Sequence, residues 1–109
     1  MNVKIEKNAG LTVAELNGEL DGSTALPAQS QIAAAITPDS HLILDMSKVD
    51  FMSSAGLRML LGLQRQLNAK GKLVLTGLSE QIQDTMTVTG FLDLFVVAES
   101  LAEAKALAA

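Results

Sequence analysis

Two adjacent serines, Ser53 and Ser54, stand with Gly56 and Arg58 in the run Asp50-Phe51-Met52-Ser53-Ser54-Ala55-Gly56-Leu57-Arg58, where an apolar pattern gives way to an amphipathic one. A serine at a helix start offers its oxygen to an orphan backbone N–H of the first turn. The same helix end favours an added negative charge, so a phosphorylated serine is tolerated there. The segment therefore has two uses open to it, a structural cap and a phosphate switch.

Other chemistry fits less well. The nucleophile-elbow pattern needs a glycine two residues before the serine, and those places hold Phe51 and Met52. A triad would have to recruit His41, the single histidine, from an earlier strand, although its partners normally follow the serine in that fold. Neither G-x-x-x-x-G-K-[ST] nor G-x-G-x-x-G occurs among the eight glycines. Asp21, Asp45 and Asp50 are scattered over connections and read as solvated turn formers. With no cysteine there is neither a thiolate zinc site nor a cysteine nucleophile, and His41 alone is too few for a histidine metal site, reading instead as an exposed residue at a strand entrance. The expectation is a protein that is not an enzyme, with no catalytic residues, no metal and no cofactor.

Composition narrows the partners. A net charge of -4 with eight Lys and Arg, and no Trp or Tyr to stack on bases, argues against nucleic acid. Apolar runs such as Leu42-Ile43-Leu44 and Leu73-Val74-Leu75 fall far short of the ~20 residues of a membrane span. Met1-Asn2-Val3-Lys4-Ile5-Glu6 alternates like a strand and lacks the basic and apolar regions of a secretory signal. An apolar fraction of 49% and a charged fraction of 18% belong to a folded soluble chain, and 109 residues suffice for one domain, 1–109, expected in the cytoplasm.

The elements that must position the serines follow from periodicity. Val3 and Ile5 alternate with Lys4 and Glu6 as a half-buried strand, and Asn8-Ala9-Gly10 turns it back into Leu11 to Leu16 as an antiparallel hairpin. In that second strand the alternation shifts phase, through either a bulge or burial on both faces. Helix 1 begins near Ser23 or Thr24, because Pro27 fits only a first turn, and Thr37-Pro38-Asp39-Ser40 ends it. His41 to Met46 is an apolar strand, with Ser47-Lys48-Val49-Asp50 as its connection to helix 2, Ser54 to Ala69, closed by Lys70-Gly71. Lys72 to Thr76 is a buried strand, and helix 3 runs through Ile82 and Met86 to Thr89-Gly90. Phe91-Leu92-Asp93-Leu94 is a tight turn and Phe95-Val96-Val97 a strand. Ser100-Leu101-Ala102-Glu103 has capping-box spacing and opens a last helix through Ala108. The order ββαβαβαβα implies one α/β domain with a mixed, mostly parallel sheet of about five strands and about four helices.

The run Leu42-Ile43-Leu44-Asp45-Met46-Ser47-Lys48-Val49-Asp50-Phe51-Met52-Ser53-Ser54-Ala55-Gly56-Leu57 resembles the STAS domain signature of anti-sigma factor antagonists, an apolar strand followed by Asp-x-Ser-x-Val-x-Phe-x-Asp-Ser-x-Gly-Leu. Gly18-Glu19-Leu20-Asp21, Gly71-Lys72-Leu73, Thr89-Gly90-Phe91 and Leu94-Phe95 extend the resemblance over nearly the whole chain. It implies a STAS-like fold and partner switching. A serine kinase that is also an anti-sigma factor binds the unmodified protein, phosphorylates one serine at the start of helix 2 and releases it, and a serine phosphatase restores the binding form. Carried over by position, the phosphorylated residue is Ser54, while Ser53 stands where many members have aspartate. The implied partner surface gathers Asp21, Gly22 and Ser23 with Met52, Ser53, Ser54 and Arg58. The replaced aspartate leaves an alternative, a non-phosphorylated STAS scaffold or a soluble component of a transport or stress-signalling complex.

Overall fold

The computed structural model describes residues 1–8, 10–37, 39–67 and 71–108. Its elements are β1 (Asn2–Asn8), β2 (Leu11–Leu20), α1 (Ala25–Ala33), β3 (His41–Met52), α2 (Ser54–Gln66), β4 (Leu73–Thr76), α3 (Glu80–Val88), a 3-10 turn (Phe91–Leu94), β5 (Val96–Ala98) and α4 (Leu101–Leu107). They form one five-stranded sheet in the order β1-β2-β3-β4-β5. The first pair is antiparallel and the other three are parallel.

Each parallel strand is added on the same side of the last, so right-handed crossovers set every connecting helix on one face of the sheet. The main core accordingly joins Leu16, Leu44 and Leu75 of the sheet to Ile32 of α1, Leu60 and Leu63 of α2, and Met86 of α3. After β5 the chain is free to cross to the other face, where α4 packs Ala104 and Ala108 on Ile43, Val74 and Ala98. In β2, Ala14 and Leu16 face the main core while Leu11 and Val13 lean on this second cluster, which accounts for the shifted alternation.

Several boundaries differ from expectation. Ser47-Lys48-Val49-Asp50 is not a connection but part of β3, which pairs with β2 as far as Leu20↔Met52. The pairing shifts register between Glu15 and Asn17 and again between Gly18 and Glu19, each time taking up one more residue of β3 than of β2. Such bulges reset the inward face, so Leu42, Leu44 and Met46 are followed in the core by Val49. Helix 1 stops at Ala33 and helix 2 at Gln66; the turn residue Ala9, the stop residue Pro38 and the helix end expected at Ala69 and Lys70 lie outside the described residues. His41 is half-buried rather than exposed, lying between Leu11 of β2 and Lys72 before β4, whose backbone N–H its Nδ1 accepts at 3.1 Å.

Candidate functional site

β2 and β3 are parallel neighbours, so their carboxyl ends lie together, and each feeds the N-terminus of a helix packed on the same face. Two short turns meet there. The Ser53 backbone N–H donates to the Leu20 carbonyl at 2.8 Å, which joins the start of α2 to the residue before Asp21.

The first turn, residues 21–24, is organised by Asp21. Its Oδ1 accepts from the Ser23 hydroxyl at 2.7 Å, the Ser23 N–H at 2.9 Å and the Thr24 N–H at 3.2 Å. The Ser23 hydroxyl above all, and then the Ser23 N–H, hold the Asp21 carboxyl below the usual aspartate range. Thr24 is the N-cap residue of α1 by position, yet its hydroxyl donates to the Glu19 carbonyl at 2.6 Å. The carboxylate of Asp21 thus holds the two amides of the turn that leads into α1, and the Asp21 carbonyl accepts the Ala25 N–H at 3.0 Å. Gly22 and Ser23 are exposed on this turn.

In the second turn the two serines are not equivalent. Ser53 is the N-cap of α2, in extended conformation, and its Oγ accepts the Ala55 N–H at 3.2 Å. Ser54 is the first helical residue and is exposed, and among the described residues its hydroxyl makes no hydrogen bond. Arg58, one turn along the same helix face, is exposed as well. It borders a cleft of about 220 Å³ between α1 and α2, whose other walls include Gly22, Leu26 and Gln29.

Met52 is half-buried and lies over the first turn of α2: a Cβ placed on Gly56 would stand 2.5 Å from Met52 Cγ and 3.1 Å from Leu20 Cβ. Glycine here permits the close approach of Met52 to the first turn of α2, while part of Met52 stays at the surface. Two exposed apolar residues flank the site that the sequence reading left out, Phe51 at 47% and Leu26 at 70% relative exposure. Strand alternation at the end of β3 carried the signal for Phe51, since Met52 faces inward; nothing in the pattern of α1 distinguished Leu26. Among the described residues no group of three or more metal-ligating side chains forms, and no helix is long and apolar enough to cross a membrane.

A five-stranded sheet with three crossover helices on one face and a fourth on the other, two helix starts side by side, and a match to the STAS domain model over residues 2–104 place the chain in the STAS domain family. Within that family it belongs with the anti-sigma factor antagonists. BtrV of Bordetella bronchiseptica, a protein assigned to that group, is 32% identical over 102 residues, covering 92% of this chain and 88% of its own. An anti-sigma factor antagonist from Mycobacterium paratuberculosis shares the fold with a TM-score of 0.88 at 23% identity, over 98% of this chain and 92% of that one. The Bacillus cell fate determinant SpoIIAA, solved in its phosphorylated form, superposes with a TM-score of 0.70 at 22% identity, over 97% of this chain and 99% of its own. The group consists of regulators without enzymatic activity.

Proposed function

We propose that this chain is a cytoplasmic partner-switching protein that docks on an anti-sigma factor, itself a serine kinase, and is released when Ser54 is phosphorylated. The observation that carries the reading is the division of work between the serines. Ser53 uses its oxygen as the cap, which leaves the exposed Ser54 hydroxyl for transfer. In that step the Ser54 Oγ–P bond forms as the bond between the β- and γ-phosphates of ATP breaks, ADP leaves, and the hydroxyl proton passes to a base of the kinase.

A phosphate there adds about -1.5 to -2 charges. Within the monomer the helix start and Arg58 receive it. Against a partner surface the same charge must be desolvated, and a penalty of ~3 kcal/mol lowers affinity about a hundredfold. Asp21, Gly22, Ser23, Met52, Ser53 and Arg58 form the surface over which the switch acts, with Phe51 and Leu26 as apolar neighbours. A serine phosphatase resets it.

Incubating the protein with its cognate kinase and ATP, and mapping the product by mass spectrometry, tests the proposal. One phosphate on Ser54, none on Ser54→Ala, and loss of partner binding in Ser54→Asp are expected; phosphate at another residue, or full binding by Ser54→Asp, overturns it. Ser53 in place of aspartate favours a second reading, a constitutive scaffold or a component of a transport or stress-signalling complex. Stable capture of such subunits with no phosphate incorporated would select it.

A further inference from the structure

β1 is the longer of the two edge strands, seven residues against three in β5. The two-residue connection after Asn8 makes Asn8↔Leu11 a hydrogen-bonded pair, and alternation along the ladder then turns the N–H and C=O groups of Val3, Ile5 and Lys7 away from β2. The Gln31 amide, which donates to the Val3 carbonyl at 3.3 Å, agrees with that direction. Edge lysines commonly discourage strand addition, whereas opposite charges set across from one another favour it, and β1 carries Lys4 and Glu6 two residues apart on one face. Glu15, which lies opposite Lys4, is already engaged by Lys48 at 2.9 Å. Lys4 and Glu6 are thus left without an ion-pair partner among the described residues.

We infer that β1 is a self-pairing edge, where two copies of this chain meet antiparallel about a two-fold axis through Ile5. In that register Ile5 bonds to Ile5 and Val3 to Lys7 through outward backbone groups, the second lone pair of the Val3 carbonyl remaining free beside Gln31. Lys4 then stands opposite Glu6 in both halves, in the non-hydrogen-bonded sites where cross-strand side chains approach most closely. Moving the axis one residue either way sets Lys4 against Lys4 or Glu6 against Glu6, and moving it further shortens the overlap. Charge therefore selects one register, and the matching side chains come from an identical strand, as a closed two-fold interface requires.

Sedimentation equilibrium of the full chain over rising concentration tests this. A monomer–dimer equilibrium is expected, weakened at least tenfold by Lys4→Glu or by Glu6→Lys alone and restored in the double variant, in which the pairs are opposite again. Lys7→Pro, at an exposed position of the strand, removes an outward N–H that the pairing uses, so it should weaken the dimer at least tenfold while circular dichroism stays native. A wild type that remains monomeric at about 1 mM, a dimer indifferent to the single reversals, or capture of the edge only by a strand of another protein overturns the inference.

Discussion

The Ser53 backbone N–H reaches the Leu20 carbonyl at 2.8 Å, so the cap of α2 and the Asp21 turn are held by one ladder. The two serines differ in what they support. Ser53→Ala removes the oxygen that serves Ala55 and should cost about 1 kcal/mol, or roughly 4 °C in melting temperature. Ser54→Ala should stay within about 0.5 kcal/mol, since the residue is exposed at the first helical position. Ser53→Asp keeps an acceptor and adds charge at a helix start, so its melting temperature should match or exceed wild type. Thermal melts of the three variants separate the roles.

Two glycines of α2 should respond to alanine with opposite signs. At Gly56 the new methyl meets Met52 Cγ and Leu20 Cβ, atoms near their backbones, and overpacking of about 2 kcal/mol outweighs the ~1 kcal/mol gain in helix propensity. At Gly62 it meets the amide end of Gln29, which can swing aside, so Gly62→Ala should be neutral or stabilising by up to about 1 kcal/mol. Urea midpoints measured side by side give the comparison.

Gly77 has a positive φ of 74°, and a Cβ there would stand 2.7 Å from Ser47 N and 2.9 Å from Ser47 Cα. Backbone of the β3 bulge cannot move away as a side chain can. Gly77→Ala should therefore lose about 3 kcal/mol, the left-handed conformation and the clash together, read as a lower urea midpoint.

Asp21 sets a pH dependence of known sign. Its carboxyl is more acidic in the folded chain than in the unfolded one, so its contribution is complete above the ordinary aspartate value and is lost as pH falls through the lower folded value. Asp21→Asn keeps an acceptor for Ser23 and Thr24 but does not titrate. The stability gap between wild type and variant should stay constant near neutrality and narrow below about pH 4, as urea titrations at each pH would record.

Element types and their order were readable because each helix start carries its own local chemistry. Ser79 accepts the Ile82 N–H at 3.2 Å and Ser100 the Glu103 N–H at 3.1 Å, and such caps need no knowledge of the rest of the chain. The second half of β3 was not readable, since Ser47 to Met52 follow no single period. Their strand state depends on pairing with Asn17 to Leu20 across two register shifts. The motif placed Ser53 and Ser54 at the start of α2, as found, whereas their different hydrogen bonding depends on which one falls at the cap. The role of the Asp21 carboxylate as the acceptor for the turn before α1 was equally hidden, because Thr24 is the residue that a capping rule selects.

The unequal thickness of the two apolar layers sets the order in which the molecule opens. α4 is held largely by alanines against Ile43 and Val74, whereas β3 is clamped between that layer and the leucines and methionines beneath α1 and α2. In native-state hydrogen exchange the amides of α4 should be released first, with little added denaturant, and those of Leu42 to Met46 only with global unfolding. Ser53 and Ser54 are carried by the end of β3 and the start of α2, on the thicker layer, so the opening of α4 should leave the proposed switch surface in place.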